Sequence, residues 1–229
     1  MDGLSKELYE FLLKKGADLA GFADLSESTD EKLNVGVSII KRIPTEVIDS
    51  IKDGPTEAYY KNYEELNAQL KGIALAAEEF LKARGFEAYA QIDGSIPETG
   101  YCRTAMPHKT VATGAGLGWI GKCALLVTRE YGPAVRLSSV LTNAPLETAK
   151  PVTASFCGGC TRCQDACPAA AIKGRLWNRG VDRDELVDIT LCRPKARSLA
   201  FKKIHKEITL CGKCVYVCPY TIHGKESAA

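Results

Sequence analysis

Cys157-Gly158-Gly159-Cys160-Thr161-Arg162-Cys163-Gln164-Asp165-Ala166-Cys167-Pro168 and, further on, Cys211-Gly212-Lys213-Cys214-Val215-Tyr216-Val217-Cys218-Pro219 carry the architecture of this chain. The first stretch has the spacing C-x2-C-x2-C-x3-C-P. The second repeats its last three cysteines and the proline, with Cys192 upstream as the displaced first one. Of ten cysteines, Cys102 and Cys123 alone fall outside this region. Three cysteines on a tight loop, two residues between neighbours, can aim three sulfurs at corners of one iron–sulfur cube. The fourth, one turn on, points at a second cube. Gly158, Gly159 and Gly212 let the backbone curl close to the sulfides, and the N–H groups of such a loop offset cluster charge.

This is the bacterial ferredoxin spacing, and it predicts two [4Fe–4S] clusters. Cys157, Cys160, Cys163 and Cys218 are assigned to the first, and Cys167, Cys192, Cys211 and Cys214 to the second. Cys192 is the least regular of the eight, because its separation from Cys211 is unusual for a small ferredoxin. Zinc is the competing ion, since paired C-x2-C units also build four-cysteine zinc sites. A zinc ribbon needs neither a third cysteine at x2, nor a fourth at x3, nor the following proline, and needs none of it twice.

Composition narrows the rest. The 229 residues suffice for one large domain or two small ones, with 45% hydrophobic and 25% charged residues, as in ordinary globular chains. The formal net charge of +2 makes no electrostatic case for nucleic acid or an anionic membrane. Two cubes at about −2 each, as four-thiolate oxidised clusters carry, lower it further. No apolar run reaches the ~20 residues of a bilayer span, and Met1 to Glu10 has no signal-peptide core. The expectation is a cytoplasmic protein with reduced cysteines and no membrane partner. Exposed cubes would favour an anaerobic setting.

Ahead of the cysteines, apolar spacing predicts a helix over residues 3–15, stopped by Gly16, strands over 18–24 and 34–40, and a polar loop from Ser26 to Lys32. A long helix over 56–83, capped by Gly85, and a strand over 87–92 follow. Ala124–Thr128 and Val135–Leu141 flank Gly132-Pro133 and read as a hairpin. The alternation argues an α/β layered core over residues 1–150 and a cluster domain, short of apolar residues and held by its metal, over 151–229.

Gly116-Leu117-Gly118-Trp119-Ile120-Gly121 spells G-x-G-x-x-G, yet no buried strand precedes it and no acid lies near position 141, so a dinucleotide site is disfavoured. The segment His108 to Lys122 instead resembles a signature of the epoxyqueuosine reductase family. So do Leu125-Leu126-Val127-Thr128, Leu141-Thr142-Asn143-Ala144-Pro145-Leu146, and Ala170-Ala171-Ile172 behind the first cysteine run. The separate Cys192 fits this family better than a small ferredoxin. The match runs from about Tyr101 to Tyr220, and residues 1–95 match loosely.

The resemblance implies an α+β protein: a nitroreductase-like α/β core with a ferredoxin-like two-cluster domain, holding cobalamin beside the clusters, as in the related reductive dehalogenases. Electrons from an external low-potential donor would pass through the clusters to the corrinoid. Gly116, Gly118, Lys122 and Cys123 would lie close to it. The chain departs from the family in three ways. It ends at Ala229 without the helical-repeat extension that helps hold tRNA. Cys102 stands where the family has its proposed acidic proton donor, and Cys123 replaces an asparagine. A thiol of pKa ~8.5 at Cys102 could serve in proton delivery. Alternatively, Cys102 or Cys123 faces the cobalt as a soft ligand or as half of a redox pair, or both are small buried hydrophobes.

These departures, with the near-neutral charge, set the expectations for function. They favour a corrinoid-dependent reductase of a small molecule, with tRNA not expected as partner. The alternatives are an electron carrier for a partner, such as a corrinoid protein to be reactivated, and a shortened tRNA epoxyqueuosine reductase. Arg103, His108 and Lys109 could bind amide or phosphate groups, or form a solvated basic patch. His205 and His223 read as surface residues, and Trp119 as a packing residue.

Overall fold

The computed structural model describes residues 3–27, 32–92 and 98–222, with only the backbone described at 98–100. In chain order the elements are α1 (Gly3–Lys14), β1 (Leu19–Asp24), β2 (Val35–Arg42), α2 (Thr45–Ser50), α3 (Glu57–Lys82), β3 (Ala88–Gln91), β4 (Glu98–Gly100) and β5 (Arg103–Thr104). Then come α4 (His108–Gly114), β6 (Trp119–Ile120), β7 (Leu126–Val127), β8 (Val135–Thr142), α5 (Arg162–Asp165), α6 (Arg183–Leu186), α7 (Ile189–Ile204) and α8 (Lys213–Tyr216). None of the helices is long and apolar enough to cross a membrane, among the described residues. Part of the expected loop from Ser26 to Lys32, and His223, lie outside the described residues.

The fold is mixed α and β, and the chain divides into two compact units. The first comprises Met1–Lys41, Leu66–Gly118 and Arg136–Val152, and the second Arg42–Glu65, Trp119–Val135 and Thr153–Ala229. The division is therefore not a single cut near residue 150. The second unit also takes up α2, the start of α3 and the β6–β7 segment, because its short cysteine-bearing helices offer too little apolar surface to close a core alone.

In the first unit, β1-β2-β8-β3 form a four-stranded sheet in that order. β1 and β2 are antiparallel, with Phe22 opposite Val37, and so are β3 and β8, with Ala90 opposite Val140. Leu8 and Leu12 of α1, and Leu70, Ile73, Ala74, Ala77 and Leu81 of α3, bury against Phe22, Val37, Ile39, Ala90 and Val140. The three-to-four spacing on α3 presents one apolar stripe to this core. Beyond α3 the Gly85 N–H donates to the Lys82 carbonyl and the Phe86 N–H to the Leu81 carbonyl. This is a reversal that needs the left-handed backbone Gly85 adopts, at φ +86°. Elements read from the sequence over 3–15, 18–24, 34–40, 56–83 and 87–92 thus appear within about two residues of their expected ends.

The expected hairpin between Ala124–Thr128 and Val135–Leu141 is corrected. Both strands form, but β7 pairs with β6, Ile120 opposite Leu126, around a turn closed by Ala124 N–H to the Gly121 carbonyl at 2.8 Å. β8 lies between β2 and β3 in the larger sheet. The alternating pattern marks a strand without naming its partner, and the tighter turn at Gly121–Ala124 won. G-x-G-x-x-G, in turn, follows the helix α4 and opens into β6, so no strand–turn–helix cradle exists there.

Ile39 is fully buried in the first unit's core. Ile39→Ala should lower unfolding free energy by about 2–5 kcal/mol, read as a lower urea midpoint at unchanged m-value.

Candidate iron–sulfur site

All eight cysteines expected as cluster ligands fall in the second unit, and the structure gathers them around two cavities. Cys157, Cys160, Cys163 and Cys218 line one of about 400 Å³, part of it open to solvent. Cys167, Cys192, Cys211 and Cys214 line another, of about 420 Å³, also partly open to solvent. Cys214 and Cys123 border both. Among the described residues, no three His, Cys, Asp or Glu side chains are arranged to hold a single metal ion.

Local chemistry explains how each sulfur arrives. Cys157 N–H is held by Ser155 Oγ at 3.3 Å, and Cys160 N–H closes back on the Cys157 carbonyl at 3.1 Å. Thr161 starts the single turn of α5 that carries Cys163, and Thr161 Oγ1 donates to Asp165 Oδ2 at 2.7 Å. Past α5 the Ala171 N–H donates to Cys167 Sγ at 3.4 Å. Gly212, at φ +81°, caps α8 and places Cys211 and Cys214 on either side of that turn. Cys192 sits in the first turns of α7. Asp188 caps this helix by accepting from the Thr190 and Leu191 N–H groups at 2.9 and 3.3 Å and from Thr190 Oγ1 at 2.6 Å. The Thr190 hydroxyl, with those backbone bonds, draws the Asp188 carboxyl below its usual range. Cys192 is displaced in sequence because a helix, not the loop, delivers it. The cap at Asp188 went unnoticed in the sequence, although an Asp two residues before Thr190 and ahead of a helical run is a legible N-terminal signal.

Five of the thiols, Cys123, Cys163, Cys192, Cys211 and Cys218, are costly to ionise bare. Burial pushes the Cys218 thiol up to about 11 and raises Cys192 and Cys211 as well. Cys163 is raised by its hydrogen bond with Cys123, then by burial. Cys123 is in hydrogen-bond contact with Cys163, which lowers it, and with Cys214, which raises it. Burial adds to the latter, and the net direction is well above the ordinary thiol range. A cationic metal core removes this penalty by replacing the protons. The donor set is therefore suited to iron–sulfur cubes.

The walls are apolar and aromatic. Val127 and Tyr220 line the first cavity, and Ile172, Val187 and Ala196 the second. Trp119 packs edge-on against Phe156 and Tyr220, with ring centroids 5.2 and 4.8 Å away, in keeping with its expected packing role. Lys122 and Cys123, expected beside a corrinoid, are buried at these cavities, and Lys122 Nζ donates to the Cys160 carbonyl at 2.8 Å. Their position there went unrecognised in the sequence. Gly116 is exposed, with φ +72°, and Gly118 is buried. Cys102 is exposed and holds a left-handed backbone, at φ +53°. His205 is exposed, as expected of a surface residue.

Comparison with known proteins agrees with this arrangement. Residues 156–221 match the family described as a 4Fe-4S double cluster binding domain. The chain is 34% identical over 167 residues to the epoxyqueuosine reductase of Lactococcus garvieae, covering 68% of this chain and 40% of that one. It is also 34% identical over 127 residues to that of Gloeobacter violaceus, covering 52% and 37%. The chain thus spans about two fifths of the length of these relatives. An epoxyqueuosine reductase solved with a tRNA-Tyr epoxyqueuosine-modified stem loop aligns over 95% of this chain and 65% of its own, at TM-score 0.62 and 24% identity. A catabolic reductive dehalogenase aligns over 94% and 31%, at TM-score 0.72 and 16% identity. The resemblance read from the sequence is borne out. The expectation that tRNA is not a partner finds no support, since the relatives are epoxyqueuosine reductases and one is solved with a tRNA stem loop.

A methyl group on Gly212 would meet Ile51 Cδ1 at 2.6 Å and Tyr59 Cε1 at 3.2 Å, on a left-handed backbone. Gly212→Ala should cost about 2–4 kcal/mol and misplace Cys211 and Cys214. Melting of the apoprotein and iron retained after reconstitution both check this, and both should fall.

Proposed function

From a chain related to the epoxyqueuosine reductases, we propose an iron–sulfur oxidoreductase. It would hold one [4Fe–4S] cluster on Cys157, Cys160, Cys163 and Cys218 and a second on Cys167, Cys192, Cys211 and Cys214. Its electrons pass to a bound cobalamin, and its substrate is a small molecule. The observation that supports this most is the sorting of eight sulfurs around two adjoining cavities with a common wall at Cys123 and Cys214. Cavities that share lining residues favour charge transfer between clusters.

Each part of the chain has a task on this reading. The cysteines ligate iron as thiolates. Val127, Ile172, Val187 and Ala196 keep water from the clusters, which sharpens every charge interaction inside. The Ala171 amide hydrogen bond offsets negative charge on Cys167. The corrinoid, when bound, supplies a low-valent metal centre able to reduce a carbon–oxygen or carbon–halogen bond. Support for it comes from the relatives, one structural neighbour being described as a B12-dependent dehalogenase. The exposed Gly116 offers bare backbone to a flat macrocycle. A nitroreductase-like layering of the first unit belongs to the same proposal, as do an external low-potential electron donor and Cys102 as the proton source in place of an acid. The exposure of Cys102 suits such a role.

A second reading, epoxyqueuosine reduction in tRNA, is favoured by the names of the relatives themselves.

Anaerobic reconstitution followed by hydroxocobalamin and gel filtration tests the proposal. About eight irons per chain and one retained corrinoid are expected. Eight irons without corrinoid would leave an electron carrier serving a partner, and a colourless zinc protein would overturn the reading. Cys157→Ser and Cys192→Ser should each halve the iron, to about four. Turnover of an epoxyqueuosine-bearing anticodon stem loop would decide for the tRNA reading.

A further inference from the structure

Lys122 is 6% exposed, yet it carries an ammonium group in the wall of the first cysteine cavity. Its Nζ donates to the Cys160 carbonyl at 2.8 Å, and no carboxylate pairs with it among the described residues. A buried ammonium with only a carbonyl partner is an uncompensated charge, and an anion nearby lowers the cost of holding it. The cavity it lines is bordered by Cys157, Cys160, Cys163 and Cys218. A cube on four thiolates there carries about −2, and one charge more when reduced.

The approach is built into the backbone. A methyl group on Gly121 would meet Val127 Cγ2 at 2.9 Å, Cys123 Sγ at 3.6 Å and Cys157 Sγ at 3.7 Å. The chain therefore passes directly against the cysteine sulfurs just before Lys122. The second cavity has lysines of a different kind. Lys195 is exposed, and Lys213 is half-buried with its Nζ on the Lys52 carbonyl at 2.6 Å. Solvent screens such charges, whereas a buried charge acts through a low dielectric.

We propose that Lys122 is the built-in counter-charge of the first cluster and holds its reduction potential above the value its cysteines alone would set. This rests on the two-cluster reading above. The reduced cluster is the more negative state, so a fixed cation stabilises it more than the oxidised one, and the potential rises. The second cluster, with no buried cation at its wall among the described residues, keeps the lower potential. An electron entering there moves to the first cluster, and Lys122 gives the relay its direction. Lys122 is a positioning charge in this account and binds neither iron nor substrate.

The test is an EPR-monitored redox titration of the reconstituted full chain as wild type, Lys122→Met and Lys122→Arg. Lys122→Met keeps the chain's bulk and removes the charge. With iron still at about eight, one of the two potentials should become more negative. The shift should change the reduced-to-oxidised ratio at fixed potential at least tenfold, about 59 mV for one electron. Lys122→Arg should restore it. The same shift should appear in the Cys192→Ser background, which keeps the first cluster alone. If Lys122→Met drops to about four irons while Lys122→Arg keeps eight, the charge is needed even to hold the cluster, and the proposal stands. Unchanged potentials, an equal shift of both clusters, or iron loss in both variants would overturn it. A wild-type protein without eight irons would instead sink the two-cluster reading.

Discussion

Sulfur burial is the constraint on which the second unit turns. Eight thiols are brought to two cavities from segments whose own structure is slight, and the surroundings of Cys163, Cys192, Cys211 and Cys218 disfavour bare thiolates. Burial holds Cys218 at about 11 and raises Cys192 and Cys211. Without metal, the protein faces a choice between protonated thiols packed against one another and open cavities. A cubic iron core resolves it, because its positive charge compensates four thiolates at once. Folding and metal loading are then a single equilibrium on the proposed reading, and free energy of ligation is free energy of folding.

The secondary structure of that unit fits this dependence. α5, α6 and α8 are four residues each. Helices of that length cannot sustain themselves, since nucleation costs more than one turn returns. They are held instead by caps and packing: the reciprocal capping box of Asp182 and Glu185 at α6, the left-handed Gly212 at α8, and the Trp119, Phe156 and Tyr220 rings. The first unit needs none of this. Its sheet and its two long helices bury a continuous apolar core, and single core residues there carry the stability that ligation supplies in the second.

What could be read from the sequence divides along the same line. Cysteine spacing is local: it encodes a loop geometry within a dozen residues, and each expected ligand set lines one cavity, with Cys214 bordering both. Helical stripes such as Leu70, Ile73, Ala77 and Leu81 are local too. Strand pairing is not, and β7 and β8 were joined in expectation because Gly132-Pro133 is an obvious turn, whereas the less obvious Gly121–Ala124 turn makes the hairpin. Nor is the surrounding of a side chain. Lys122 and Cys123 sit in a motif that resemblance places near a corrinoid, and nothing in the spacing announces that the chain returns there to meet Cys160, Cys163 and Cys214. The two compact units differ from a single cut at residue 150 for the same reason. Units are defined by contacts across the chain, and the segments 42–65 and 119–135 join the second unit through tertiary packing that no composition shift marks.

The two isolated cysteines show how much position matters. Cys102 is exposed on a left-handed backbone, and Cys123 is buried where both cavities meet. A thiol at the first place has a route to solvent. A thiol at the second has no such route. Once its neighbours are iron-bound thiolates, they accept hydrogen bonds but cannot donate them, so the S–H of Cys123 is the donor that remains between Cys163 and Cys214. Lys122, whose Nζ donates to the Cys160 carbonyl, lines the first cavity and not the second. On the proposed reading, Lys122 and Cys123 both bear on one quantity, the energy of adding an electron to the first cube.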